Sequence, residues 1–293
     1  MNADHDCQKS AIDWGSVTWT KLATGIISPE GPAVDRAGHV YLVSRWTGRV
    51  VTCDPLGQVR EIVHTGGKPQ SVALLESGEL LVPDAKNHAL LGISAMGNVR
   101  VLADTLTTGG SLLGPNDLVL AEHDIVYMTD PGLDLQAPGR IVRIDLRRQE
   151  TTVLSEGHRF PNGITITADG RYLLVAESVT HRVLRFELLD GGVRLGPAEV
   201  FYQFADHYPD GMALDAAGNL LVAMCGGGTL EVIGPDGQHL ASIPTGGSQT
   251  TNCVFGGPDF QTLYLTEDKQ EGLLMTRWPI PGQQRYSRSL PPH

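Results

Sequence analysis

No apolar run in this 293-residue chain approaches the roughly 20 residues that a bilayer-spanning helix needs, so no helical membrane anchor is expected. Cysteine is sparse. Cys7, Cys53, Cys225 and Cys253 form no CxxC pair, and the opening MNADHDCQKS lacks the basic-then-apolar order of a signal segment, so a reduced cytoplasmic protein is expected. Basic charge is short as well: 22 Lys and Arg stand against 33 Asp and Glu, a formal net charge of −11. That balance argues against a nucleic-acid partner or an anionic membrane surface and favours a cation or a neutral small molecule. The familiar catalytic signatures are also missing. There is no GxSxG elbow, no HExxH and no EF-hand loop, the ten histidines are scattered singly, and GGGT at 226–229 lacks the GK[ST] of a phosphate loop.

Turn formers are plentiful instead, with 35 glycines and 18 prolines dispersed between short apolar runs. That is the composition of many brief strands joined by many turns. The arrangement repeats. PEGPAVDRAGHVYLV begins at Pro29, PQSVALLESGELLVPD at Pro69, PNDLVLAEHDIVYMTD at Pro115, PNGITITADGRYLLVAE at Pro161, PDGMALDAAGNLLVAM at Pro209 and TNCVFGGPDFQTLYLTE at Thr251. The intervals are 40, 46, 46, 48 and 42 residues. Each copy holds an alternating stretch, an Asp/Gly/Asn turn and a second apolar strand, and usually two further strand-like runs such as RVVTCDP with REIVH or RIVRIDL with TTVLS.

A period in the forties with four strands predicts an all-β, six-bladed β-propeller of four antiparallel strands per blade, a single domain over residues 1–293 with loose ends at 1–16 and 284–293. VTWTKLA, ahead of the first copy, is expected to pair with the last blade and close the ring, hiding the sheet edges. A pair of β-sandwiches is the other architecture, but it would not require even spacing.

The second position of the copies reads Glu30, Gln70, Asn116, Asn162, Asp210 and Asn252, a carboxylate or side-chain amide every time. The first strand of a propeller blade lines the channel, so equivalent positions aim side chains at one axis. Oxygens converging in this way suit a hard divalent cation, calcium first, with magnesium and manganese next and zinc last. Pro-Asp-Gly and Pro-Asn-Gly are also favoured turn sequences, which is the plainer reading. Against it, Glu and Gln form turns poorly, and Asn116 is followed by Asp117 in place of glycine. Glu30 and Asp210 balance a divalent charge, while Asn116 and Asn162 add neutral oxygens.

PEGP at 29–32, PNDLV with YMTDP across 115–131, FPNGITITADGRYLLVAES at 160–178, YPDGMALDAAGNLLVA at 208–223 and TNCVFGGPDFQTLYLTE at 251–267 together resemble the SMP-30/gluconolactonase, or regucalcin-like, family. The resemblance implies a divalent ion, usually calcium, on Glu30, Asn116, Asn162 and Asp210. It implies hydrolysis of a sugar lactone or related small lactone, with Asp210 as general base or nucleophile. Its relatives include phosphotriester hydrolases of the diisopropylfluorophosphatase type, so that activity stays open, as does a non-catalytic binding module. Sugar-lactone members carry an arginine two residues before the equivalent of Asn116. Here Gly114 stands there.

Polarisation of a lactone carbonyl by the ion, with Asp210 taking a proton from water, is the expected chemistry. Asn116, Gln70, Asn252, His207 and Tyr208 are the expected substrate contacts. His158 and Arg159, like His207 and Tyr208, are expected in the loops above the channel mouth, and Trp46 either lines a pocket or packs between blades.

Overall fold

Every copy of the repeat folds as an antiparallel meander, seen in a computed structural model that describes residues 12–283. The first blade comprises Pro29–Val34, Val40–Ser44, Arg49–Cys53 and Val59–His64, and the fifth Tyr208–Leu214, Leu220–Cys225, Thr229–Ile233 and His239–Pro244. Asp side chains shape the tight links. In the first blade Asp35 accepts from the Ala37 and His39 N–H groups at 2.9 Å each, an Asx turn of the kind that Asp-rich linkers favour.

Six such sheets form a six-bladed β-propeller. The innermost strands pack side by side around the channel, and the first, Pro29–Val34, meets the last, Thr250–Gly256, to complete the circle. The last blade takes its outer strand from the other end of the chain: Thr20–Ala23, within VTWTKLA, pairs antiparallel with Gly272–Arg277. The fourth blade accounts for the 48-residue interval. Its long third strand, Arg182–Leu189, pairs first with the extra piece Arg194–Leu195 and then with the outer strand Glu199–Gln203.

Apolar side chains gather between blades and not within one. Ala73, Leu81 and Leu90 of the second blade interlock with Leu118, Val126 and Met128 of the third, and a comparable cluster fills each of the other junctions. Both faces of a blade are therefore dry, which is why the second strands read as unbroken apolar runs such as YLLVA and NLLVA. Outer strands such as Val59–His64 face solvent and turn polar.

Residues 12–16, part of the expected loose end, include the turn Trp14–Ser16, with the Trp14 ring 5.3 Å from that of the fully buried Trp278. The remainder of those ends, 1–11 and 284–293, lies outside the described residues, as does Cys7. Cys53, Cys225 and Cys253 are free thiols. Among the described residues no helix is long and apolar enough to cross a membrane.

Candidate active site

The second-position residues sit where each chain segment enters the channel. Glu30, Asn162, Asp210 and Asn252 lie within innermost strands, and Gln70 and Asn116 stand just ahead of the shorter ones, Ala73–Leu74 and Leu118–Leu120. All six are buried, none more than 9% exposed. The Pro-X-Gly segments are not turns. They are bulged strand: Pro209 pairs with Met224 and Met212 with Val222, so Asp210 and Gly211 together oppose one residue. The same irregularity follows Pro161 and Glu30. A bulge re-aims the side chain it carries, here away from the blade face.

The glycine after the donor has its own cause. A Cβ on Gly163 would lie 2.2 Å from the Asp210 carbonyl oxygen, and one on Gly211 would lie 1.9 Å from the Asn252 Cγ. Each glycine is thus the seat of the next blade's donor segment. Where the third blade has Asp117 instead, its carboxylate accepts from Ser71 Oγ at 2.6 Å and the Ile164 N–H at 3.3 Å, tying three blades together. Gly163→Ala is expected to cost at least ~1–3 kcal/mol of stability, because the obstacle is backbone that cannot rotate aside. An unchanged melting temperature would show that the blades are not packed this closely.

Four of the six side chains are linked electrostatically or by hydrogen bonds. Asn252 Nδ2 donates to Glu30 Oε1 at 3.0 Å, and the Asn162 amide bonds the Asp210 carboxylate. Asn162 Nδ2 also donates to Ser178 Oγ at 3.2 Å, and Ser178 Oγ donates to the Pro209 carbonyl at 2.7 Å, anchoring the fourth blade to the fifth. Gln70 turns back, its Nε2 donating to the Lys68 carbonyl at 3.3 Å. Asn116 is buried in the same tier, its N–H bonded to the Thr129 carbonyl.

Burial pushes the Glu30 carboxyl up to about 7, against the opposing charge of Arg45 and the hydrogen bonds from Thr251 and Asn252, while the Asp117 charge adds to the rise. Burial also lifts Asp210 well above the ordinary carboxylate range, reinforced by the charge of Glu30. Glu30 Oε2 is buried with no hydrogen-bond partner among the described residues. Two carboxylates and an orphaned oxygen in a dry channel call for positive charge at that point. Among the described residues no three His, Cys, Asp or Glu side chains are grouped to hold a metal ion, so any ion here would draw on amide oxygens besides these two carboxylates. That donor set is the chemistry of a hard cation.

Arg45 is the participant that sequence reasoning missed. It follows directly on Ser44, which pairs with Pro29, so it stands one step beyond the Glu30 end of the ladder. Its Nε donates to Ser28 Oγ at 3.0 Å, a terminal nitrogen to Asp268 Oδ2 at 3.1 Å, and its charge acts on both Glu30 and Asp210. The end of a second strand is the signal that would have found it. Cys225 occupies the corresponding place in the fifth blade, where burial and then the Asp210 charge push its thiol up to about 12.

The residues expected above the channel mouth divide. His207 and Tyr208 lie on the rim of the fifth blade outside the buried tier: the His207 carbonyl is bonded by His181 Nδ1, and the half-exposed Tyr208 ring lies 5.4 Å from that of His181. His158 is buried rather than placed in a mouth loop, its Nε2 2.8 Å from Ser155 Oγ and its ring edge-on to Phe186. It serves Glu177. Burial would raise that carboxyl, but hydrogen bonds from His158, Thr180 and the Arg159 N–H, with the Arg182 charge, hold it down at about 2. Trp46 does not pack between blades; it is 66% exposed, with the Lys68 ammonium 4.2 Å from its ring centroid. Gly114 has φ +142° and a Cβ position 3.1 Å from Gly132 Cα, so this backbone disfavours any larger residue there. A cleft of about 670 Å³ between the N-terminal segment and the last blade is lined by none of the six channel residues.

Comparison with known proteins adds an independent line. The family signature described as SMP-30/Gluconolactonase/LRE-like region matches residues 28–269. Diisopropyl-fluorophosphatase of Loligo vulgaris is 25% identical over 316 aligned positions, covering 93% of this chain and 96% of the relative. The lactonase drp35 of Staphylococcus aureus is 26% identical over 235, covering 77% and 72%. Strictosidine synthase-like protein 6 of Arabidopsis thaliana is 28% identical over 226, covering 71% of this chain and only 59% of the plant protein, so the chain spans less than two thirds of that relative's length. Among solved structures, a gluconolactonase of Xanthomonas campestris superposes with a TM-score of 0.81 at 23% identity, over 91% of this chain and 90% of the other, which is a likeness of fold.

Proposed function

Because the chain belongs to the SMP-30/gluconolactonase/LRE-like family, we propose that it is a divalent-metal-dependent hydrolase of small lactones, with Glu30, Asn116, Asn162 and Asp210 holding the ion. The observation that carries this reading is the buried Glu30–Asp210 pair, with Glu30 Oε2 lacking a hydrogen-bond partner among the described residues. Such an oxygen is costly unless something positive meets it. The all-oxygen donors favour calcium, with magnesium, manganese or zinc as substitutes.

When bound, the ion supplies Lewis-acid polarisation of the lactone carbonyl. The chain's own groups do the rest. Asn252 holds Glu30 by one oxygen and leaves the other free, and the Asn162 amide orients Asp210. Asp210 takes the proton from a water that attacks the carbonyl carbon, the ring C–O bond breaks and its oxygen gains a proton, giving the hydroxy acid; where Asp210 instead attacks that carbon itself, ring opening leaves an acyl anhydride on Asp210, which a water then hydrolyses to the same hydroxy acid and free Asp210. Asn116, Gln70 and Asn252 line the buried tier as substrate contacts, and His207 and Tyr208 serve from the rim.

A second reading, phosphotriester hydrolysis, is favoured by the similarity to the squid enzyme along nearly the whole chain. A pH-indicator screen of sugar lactones, aliphatic lactones and phosphotriesters on calcium-loaded protein separates the two. Lactone turnover is expected; turnover of phosphotriesters alone would transfer the site to that chemistry, and no turnover of any lactone would overturn the lactonase reading.

A further inference from the structure

We propose that the substrate carries a carboxylate in addition to its lactone ring, and that Lys68, beside the exposed ring of Trp46 and next to Arg45, is the residue that recognises it. The proposal deepens the lactonase reading and rests on it.

Position comes first. The turn Arg45–Thr47 follows Val40–Ser44, whose Val43 and Ser44 pair with Glu30 and Pro29, so Arg45 and Trp46 stand at the Glu30 end of the channel. Lys68 approaches from the second blade, two residues before Gln70, and its ammonium lies 4.2 Å from the Trp46 ring centroid. Arg45, Trp46 and Lys68 therefore share one side of the rim above the buried donors.

Charge comes second. The chain is acidic by a net −11, and its arginines are largely committed: Arg140 to Asp130, Arg182 to Glu177, Arg100 to Glu79 and Arg277 to Asp259, at 2.6 to 2.8 Å. Arg45 is paired with Asp268 at 3.1 Å. Lys68 has no carboxylate in ion-pair range among the described residues, and it differs from the equally unpaired Lys21, Lys86 and Lys269 in being half-buried where they are exposed. Burial and the neighbouring Arg45 charge both disfavour its charged form. An anion arriving there is met by a cation held by the Trp46 ring with no carboxylate to compete, while the exposed remainder of Trp46 offers an apolar seat for a ring. With Arg45 already balanced by Asp268, Lys68 is, among the described residues, the one unpaired positive charge beside the Trp46 ring, which matches a carboxylate better than a phosphate dianion. The overall charge of the chain favoured a cation or a neutral molecule; locally the sign is reversed.

Equilibrium binding tests this without relying on turnover. Glucarate and gluconate differ by one carboxylate, and calcium-loaded protein is expected to bind glucarate at least about tenfold more tightly in calorimetry, the size of one charge-assisted contact. Lys68→Met, which keeps the stem over Trp46, is expected to bring the ratio of the two dissociation constants close to one, and Lys68→Arg to retain most of it. Equal affinity for the two anions in the unaltered protein, or a preference that survives Lys68→Met, overturns the proposal. A preference for 6-phosphogluconate with none for glucarate overturns the carboxylate assignment. Absence of lactone turnover with the glucarate preference intact counts against the lactonase reading and leaves this recognition standing.

Discussion

Asp210→Asn and Glu30→Gln are each expected to lower lactone turnover by about 10²–10⁴-fold while the propeller stays folded. Both substitutions keep size, remove a negative charge and leave one acceptor oxygen, turning the other into an NH2 donor. Neither residue belongs to the apolar clusters that join the blades, so the ring has no reason to open. What changes is the channel. Asp210→Asn deletes the proton acceptor, and Glu30→Gln deletes half of the charge that would neutralise a divalent ion. Stability should move the opposite way in metal-free protein. A buried carboxylate lacking an adequate counter-charge destabilises the fold, and replacing it with a neutral isostere relieves that cost. The metal-free variants are therefore expected to melt at or above the metal-free parent at pH 8. Near-parental kcat/KM in either variant with the ion still bound would end the assignment of that residue, and a collapsed melting temperature would reveal a structural role instead.

The ring was readable from the chain because its causes are local and repeated. Evenly spaced copies with unbroken apolar second strands force a closed arrangement in which both faces of every blade are covered, and VTWTKLA had no other place to pair. The buried tier at Glu30, Gln70, Asn116, Asn162, Asp210 and Asn252 was readable for the same reason, since equivalent positions in equivalent strands share a height in the channel. What escaped depends on two segments at once. The bulge that aims Asp210 is a property of its pairing with Leu220–Cys225, and the glycine after it answers to Asn252 of the next blade. Arg45 joins the site only because Ser44 pairs with Pro29 across a hairpin. His158 reads as a loop residue until Glu177, from the neighbouring blade, is seen to hold it inside. Trp46 reads either as a pocket-lining residue or as a wedge between blades; it stands in the turn Arg45–Thr47, mostly exposed, with the Lys68 ammonium over its ring.

Stripping divalent ions with a chelator is expected to reduce lactone turnover to background, with recovery on adding calcium, and to leave a protein whose stability falls as pH rises. The sign follows from the direction of the Glu30 shift. Its carboxyl titrates near 7 in the fold against an ordinary 4.5, so between those values the folded chain holds a proton that the unfolded chain has released. Stability then declines with each step of pH through that window and levels off above about 7. Asp210, shifted the same way, adds to the decline. A divalent ion takes the place of the proton and binds only the folded arrangement, so the loaded protein escapes the loss. The gap in melting temperature between calcium-loaded and chelated protein is accordingly expected to widen from pH 5 to pH 8. A gap that stays constant across that range, or a chelated protein that is firmer at pH 8 than at pH 5, would mean that these two carboxylates are not where the ion is held. Unchanged turnover in fully chelated protein would remove the ion from the reaction altogether and leave Asp210 to act with Arg45 as the nearest positive charge.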